Sequence, residues 1–172
     1  AMDDCVKLGV KAVVIITAGF KEVGPEGAAL EQKIVSIARR AGIRIIGPNC
    51  LGLIETTNRI NASFGGDLPK KGANGYLSQS GALLAAILDV ANSSGIGFSR
   101  LVSIGNKCDV DELDLINSFG NDPQTKVIAG YLESITDGAA FVTQAEQISQ
   151  QKPILLMKSG STGAGAQAAS SH

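Results

Sequence analysis

Cysteine, histidine and long apolar runs are scarce in this sequence of 172 residues. The three cysteines, Cys5, Cys50 and Cys108, lack CxxC spacing and leave one unpaired, which argues against a disulfide framework or a zinc site. The longest apolar runs, such as residues 12–16, are too short to cross a bilayer, and no secretory signal is visible. We therefore expect reduced thiols, no metal site and a cytoplasmic location.

A dominant charge of one sign is also missing. The net charge is −1 and the charged residues are scattered, so the sequence contains neither a basic patch for nucleic acid nor an acidic tail. Glycine, in contrast, is abundant, and most of the 21 glycines follow apolar runs. A doubly wound sheet places its ligand-binding loops at such positions.

Residues 1–60 predict a βαβ unit, which is the C-terminal half of a Rossmann-like domain. Residues 11–17 have the β-branched, continuously apolar character of a buried parallel strand. A helix follows, with apolar residues at helical spacing and Gly42 as its end, and residues 43–46 form a second strand. Residues 55–73 show little periodicity, and 61–73 are interpreted as a connection between two domains.

Residues 74–172 predict a flavodoxin-like domain, so the fold class is α/β. Apolar strands alternate with helices in this part of the sequence, and the first strand ends at Tyr76-Leu77. The apolar faces of the helices include Leu84, Phe119 and Phe141. Because the chain opens inside a helix-like stretch and stops at His172 after a run of Gly, Ala and Ser, we interpret it as a fragment.

Two polar loops follow predicted strands. Ser78-Gln79-Ser80-Gly81 opens a helix, where free N–H groups and the helix dipole favour an anion, although an ordinary N-cap at Ser80 explains the same pattern. Asn106-Lys107-Cys108-Asp109 matches the NKxD element with which small GTPases read guanine. A GTPase also needs a GxxxxGK[ST] loop, which this sequence lacks.

Glu133 and His172 are the candidate catalytic side chains. Glu133 lies just past a predicted strand, at the sheet edge where open α/β sheets bind ligands, although a solvated loop acid is the simpler alternative. His172, the single histidine, follows a glycine-rich stretch, and an imidazole can carry a phosphoryl group covalently.

Segments spread over nearly the whole chain resemble, in the same order, the NDP-forming acyl-CoA synthetases, which are relatives of succinyl-CoA synthetase and its alpha subunit. The matching segments are residues 15–20 (IITAGF), 47–52 (GPNCLG), 78–81 (SQSG), 102–110 (VSIGNKCDV), 131–135 (YLESI) and 158–172. The resemblance implies the reaction acyl-CoA + phosphate + ADP ⇌ carboxylic acid + CoA + ATP, through an acyl phosphate and a phosphohistidine. It also implies an ATP-grasp domain or subunit, outside this chain, that binds ADP or ATP with Mg.

The resemblance assigns roles to individual residues. His172 matches the phosphorylated histidine, and Glu133 matches the acid that hydrogen-bonds its ring. The remaining positions match a phosphate cradle (Ser78, Gln79, Ser80, Gly81), loops around the thiol end of coenzyme A (Thr17, Ala18, Gly19, Pro48, Asn49) and the loop near the acyl group (Asn106).

The sequence leaves two alternatives to an ADP-forming acyl-CoA synthetase. One is a non-catalytic, acyl-CoA-sensing module of a protein lysine acetyltransferase, and the other is a flavodoxin-like binding domain without chemistry. The presence of His172 and Glu133 favours the enzyme. The resemblance further implies a homo- or hetero-oligomer, and we expect the fragment alone to be inactive. An uncovered sheet edge in the first 60 or so residues predicts that they pack against the second domain or another chain.

Overall fold

The computed structural model describes residues 1–160 of the chain. Its first unit is a small parallel sheet of β1 (Ala12–Val14) and β2 (Arg44–Ile46). Helix α1 (Met2–Lys7) precedes the sheet, and a 3₁₀ turn (Lys21–Val23) and helix α2 (Pro25–Ala41) connect its strands. Helix α2 begins with Pro25 at its first turn and ends at Gly42, whose φ of 67° is the left-handed conformation that glycine adopts readily.

The second unit is a six-stranded sheet in the order β4-β3-β6-β5-β7-β8. Its strands are β3 (Gly52–Glu55), β4 (Ile60–Ser63), β5 (Lys71–Ser78), β6 (Phe98–Ser103), β7 (Val127–Leu132) and β8 (Ile154–Lys158). Strands β5 to β8 are parallel, as the sequence predicted, and are connected by α3 (Gly81–Ser94), α4 (Glu112–Asn121) and α5 (Gly138–Ser149).

The predicted irregularity of residues 55–73 is wrong in part. Strands β3 and β4 pair as an antiparallel hairpin, and β3 also pairs antiparallel with β6, so this segment extends the larger sheet. Strand β5 starts at Lys71, earlier than expected. Strand β4 is an edge strand of four residues that includes Asn61 and Ser63, so it lacks the continuous apolar run that reveals a buried inner strand.

Apolar side chains fill both faces of the larger sheet. One cluster, on the side of α4 and α5, includes Leu77, Ile116 and Ile128, all fully buried. The other cluster packs against α3 and includes Ile54 and Leu84, also fully buried. The helices therefore cover the sheet from both sides, which confirms the predicted α/β class.

The first unit packs directly against the second, as its uncovered sheet edge predicted. The chain that leaves β6 runs beside β2 and donates a backbone hydrogen bond to it, from Val110 N to Ile45 O (3.1 Å), and another to the residue after it, from Cys108 N to Gly47 O (3.1 Å). Among the described residues, no helix has both the length and the apolar composition needed to cross a membrane.

Candidate active site

A cavity of about 600 Å³ lies between the two units, at the carboxyl ends of β5, β6 and β7. Parallel strands present the loops at their carboxyl ends to one edge of the sheet, which explains why distant segments of the sequence meet there. Of the residues predicted from the sequence, the lining includes Asn49, Gln79, Ser80, Gly81, Asn106 and Glu133.

The N-terminus of α3 points its first residues into this cavity. Ser80 is the N-cap, and its hydroxyl oxygen accepts a hydrogen bond from the Leu83 amide at 3.3 Å. The next residue, Gly81, leaves backbone next to the cavity without a side chain in front of it. The partial positive charge of the helix N-terminus makes this part of the cavity suitable for an anion.

Ser78 does not line the cavity. It is fully buried, and its hydroxyl donates to the Ser80 carbonyl at 2.6 Å and accepts from the Ser80 amide at 3.2 Å. These bonds shape the turn that leads into α3, so Ser78 acts on the site through Ser80.

Gln79 links the α3 turn to the loop that carries Glu133. Its Oε1 accepts hydrogen bonds from the amides of Glu133 (3.0 Å) and Ser134 (3.1 Å), and its Nε2 donates to Ser134 Oγ (3.2 Å). Glu133 thus lines the cavity, and Gln79 connects its backbone to the turn that leads into α3. A carboxylate beside an anion site can orient a cationic or hydrogen-bonding group that approaches the anion.

Asn106 is buried and bonded to the first unit. Its Nδ2 donates to Glu22 Oε2 (2.5 Å) and to Glu31 Oε2 (2.9 Å), and its backbone carbonyl accepts a hydrogen bond from Lys21 Nζ. Lys21, Glu22 and Glu31 were not predicted as site residues, because no local pattern connects them with Asn106, which lies 85, 84 and 75 positions away, respectively.

Glu22 is ionised at any ordinary pH. Partial burial opposes the charge, but hydrogen bonds from Asn106 and from the amides of Phe20 and Gly19 outweigh it and lower the pKa of Glu22 to about 2. Glu22 therefore contributes a fixed negative charge to the cavity lining, on the part that the first unit supplies.

The two predicted loops of the first unit meet at a backbone hydrogen bond from Asn49 N to Thr17 O (3.0 Å). Asn49 lines the cavity, whereas Thr17, Ala18, Gly19 and Pro48 do not. The Pro48 carbonyl instead accepts a hydrogen bond from the Asn106 amide at 2.9 Å, which joins these loops to the second unit.

Cys50 also lines the cavity, although no role was predicted for it. Burial raises the pKa of its thiol to about 11, and the sulfur donates to the Ile15 carbonyl at 3.4 Å. At neutral pH this group is a thiol, which is a poor nucleophile. We therefore assign Cys50 to packing of the cavity wall.

Family models match both units. Residues 71–172 match the succinyl-CoA ligase like flavodoxin domain, and residues 1–56 match the CoA binding domain. The chain belongs to the NDP-forming acyl-CoA synthetase family. This confirms the family resemblance of its sequence segments.

Relatives in this synthetase family align along almost the whole chain. The chain is 50% identical over 171 residues to an ADP-forming acetate–CoA ligase of Methanocaldococcus jannaschii, with 99% of this chain and 24% of the relative covered. It is 44% identical over 169 residues to the alpha subunit of ADP-forming acetate–CoA ligase II of Pyrococcus furiosus, with 98% of this chain and 37% of the subunit covered.

A solved structure of the family has the same fold. The dinucleotide-forming acetyl-coenzyme A synthetase 1 of Ca. Korarchaeum cryptofilum, in complex with phosphate and ADP, superposes with a TM-score of 0.93 at 44% identity, covering 99% of this chain and 37% of that one. The chain thus spans between about a quarter and two fifths of these relatives.

The family's NKxD-like loop serves as a structural link in this chain. Asp109 Oδ2 accepts hydrogen bonds from Arg44 Nε (2.9 Å) and the Ile45 amide (2.8 Å), so it fastens the loop to β2. His172 lies outside the described residues. Within residues 1–160, no group of three or more His, Cys, Asp or Glu side chains is arranged to hold a metal ion.

Proposed function

We propose that this chain is the acyl-CoA and phosphohistidine part of an ADP-forming acyl-CoA synthetase. The proposal rests on the cavity, which is lined by the α3 N-terminus, Glu133, Asn49 and Asn106. Coenzyme A and phosphate are the substrates that this part of the protein binds. The acid product is a monocarboxylate such as acetate, by analogy with the acetate–CoA ligases to which the chain is similar.

The proposed chemistry has two steps in this cavity. A phosphate oxygen attacks the thioester carbonyl carbon, the C–S bond breaks, and coenzyme A leaves as its thiol after taking up a proton. A ring nitrogen of His172 then attacks phosphorus, the P–O bond to the acyl group breaks, and the carboxylate leaves. The amides of Gly81 and Ala82, the first residues of α3, offset the charge of the phosphoryl group, and Ser80 caps the same helix end.

Glu133 orients the His172 ring in this proposal. A carboxylate that accepts a hydrogen bond from one ring nitrogen leaves the other as the nucleophile, and it stabilises the positive charge of the phosphorylated ring. The Thr17–Gly19 and Pro48–Asn49 loops lie at the thiol end of coenzyme A, where Asn49 is the residue of these loops that lines the cavity, and Asn106 lies beside the acyl group. Gln79 and Ser78 support the phosphate cradle.

The second half of the reaction requires a partner. We propose that the phosphohistidine transfers its group to ADP, with Mg, on an ATP-grasp domain or subunit, and that the assembly is an oligomer. A cytoplasmic location agrees with the free thiols of Cys5, Cys50 and Cys108.

The test uses the full-length protein that contains this chain. It is incubated with acyl-CoA and radiolabelled phosphate, and the label is tested for the acid lability and base stability of phosphohistidine. We expect label in the wild type, none in His172→Ala, and much less in Glu133→Gln. Glu146→Gln, an exposed change on α5, is the matched control and should label normally.

Other results would refute the proposal. Label that persists in His172→Ala places the phosphoryl carrier elsewhere. No label in the wild type, with acetyl-CoA binding intact, supports the acyl-CoA-sensing module of a protein lysine acetyltransferase instead.

A further inference from the structure

We infer that Lys107 is a positioning residue, which holds the loop that carries Glu133 in place at the cavity through the Ser134 carbonyl. The inference rests on the proposed function of Glu133. Lys107 is the lysine of the NKxD-like segment. Neither the sequence nor the proposed chemistry gives it a role.

The Lys107 ammonium has two partners. Its Nζ lies 2.8 Å from Glu112 Oε2 and 2.9 Å from the Ser134 carbonyl oxygen. The side chains of Lys107 and Glu112 are 8% and 1% exposed. A buried ammonium must satisfy its donors, so these two bonds determine where the Ser134 carbonyl lies.

Glu112 extends the same contact along the loop. Its second oxygen, Oε1, accepts a hydrogen bond from the Thr136 amide at 2.5 Å. Burial opposes its ionisation, but the bonds from Lys107 and Thr136 prevail and lower the pKa of Glu112. The Lys107–Glu112 pair therefore holds residues 134 and 136, directly after Glu133.

Other side chains fix the backbone of Glu133 itself. Gln79 Oε1 accepts hydrogen bonds from the amides of Glu133 and Ser134. Lys158 Nζ donates a hydrogen bond to the Glu133 carbonyl at 2.9 Å. Within residues 1–160, the Glu133 carboxylate accepts no hydrogen bond, while the backbone that carries it is held from several sides. This arrangement suits a carboxylate whose partner arrives with the reaction.

Lys107 also connects the two ends of the cavity. Its neighbour Asn106 is bonded to Glu22 and Glu31 of the first unit, whereas Lys107, at a φ of 47°, reaches the loop after β7. Consecutive residues thus contact the acyl side and the phosphoryl side. Because Asn106 keeps its own bonds to Glu22 and Glu31, loss of the Lys107 side chain disturbs the phosphoryl side and leaves the acyl side in place.

The experiment compares variants of the full-length protein by three measurements: the single-turnover rate of phosphohistidine formation, the KM for acyl-CoA and the melting temperature. Lys107→Met removes the Ser134 anchor but leaves Glu112 unpaired, which also destabilises the fold. The double variant Lys107→Met/Glu112→Gln removes both charges and should recover the melting temperature.

The matched control is Lys152→Met. Lys152 Nζ also donates to backbone carbonyls, of Phe119 (3.0 Å) and Asp122 (2.7 Å), but away from the cavity. We expect this variant to be destabilised and to form phosphohistidine at the wild-type rate.

We expect both Lys107 variants to form phosphohistidine more slowly by a factor on the order of 10 to 100, with an unchanged KM for acyl-CoA, because a small displacement of a catalytic group has effects of this size. A double variant that recovers the wild-type rate together with its melting temperature overturns the inference and leaves the proposed function intact. A wild type that forms no phosphohistidine overturns both.

Discussion

Gly81 and Gly138 occupy equivalent positions, because each is the first residue of a helix, after the N-caps Ser80 and Asp137 respectively. They differ in their surroundings: Gly81 lines the cavity, and a Cβ added there would make ordinary contacts of 3.4 Å or more with Leu51. A Cβ added at Gly138 would meet nothing within 4 Å. Both alanine variants should therefore fold.

The Gly81→Ala variant is expected to raise the KM for phosphate roughly tenfold, or about 1.4 kcal/mol, because its methyl group occupies the space that an anion needs at the helix N-terminus. Steady-state kinetics of the full-length enzyme measure this effect. Gly138→Ala should leave the KM unchanged. Equal values for the two variants would show that Gly81 is an ordinary first residue of a helix.

Glu22 predicts a pH dependence of stability. Its pKa falls from 4.5 to about 2 on folding, so its stabilising effect is complete above about pH 4.5 and is lost as the pH falls towards 2. We expect Glu22→Gln to lower the melting temperature at pH 7, and the difference from the wild type to shrink between pH 4.5 and 2. Thermal melts over this range measure it, with Glu146→Gln as the control. A constant difference would contradict the assigned hydrogen bonds.

At the scale of elements, two loops approach each other so closely that only glycine fits between them. Gly105 has a φ of 51°, and a Cβ there would lie 2.3 Å from the carbonyl oxygens of both Pro48 and Asn49. Gly95, at the end of α3, has a similar φ of 70° but open space around it. Alanine variants at Gly95 and Gly105 therefore distinguish the cost of a left-handed backbone from the additional cost of a steric conflict.

We expect Gly95→Ala to cost about 1 kcal/mol of stability, from its left-handed backbone alone. Gly105→Ala should cost roughly 1–3 kcal/mol more, because the loops must move apart. It should also reduce activity, since Asn49 and Asn106 flank the contact. Urea unfolding measures both costs, and equal costs for the two variants would mean that the loops separate freely.

At the scale of the whole molecule, the cavity depends on both units, because Asn49 and Glu22 come from the first and Glu133 and the α3 N-terminus from the second. The nucleotide site, in the proposed function, lies on an ATP-grasp partner. The chain of residues 1–172 should therefore form no ATP from acyl-CoA, phosphate and ADP in a coupled assay. The full-length protein together with its ATP-grasp domain or subunit should form ATP in the same assay, whereas turnover by residues 1–172 alone would contradict the proposal.

The sequence by itself determined the features that depend on neighbouring residues. Apolar runs and helical spacing predicted the parallel strands and their helices, and Gly42 marked the end of α2. The ordered segments identified the family. These features were readable because strand, helix and cap preferences act over a few residues.

Only the tertiary structure decided how the loops are joined. Strand β4 is a polar edge strand that becomes recognisable through its pairing with β3. The bonds of Asn106 to Glu22 and Glu31, and of Lys107 to Ser134, connect residues between 27 and 84 positions apart. Such contacts leave no local pattern in the sequence, because folding of the two units brings their partners together.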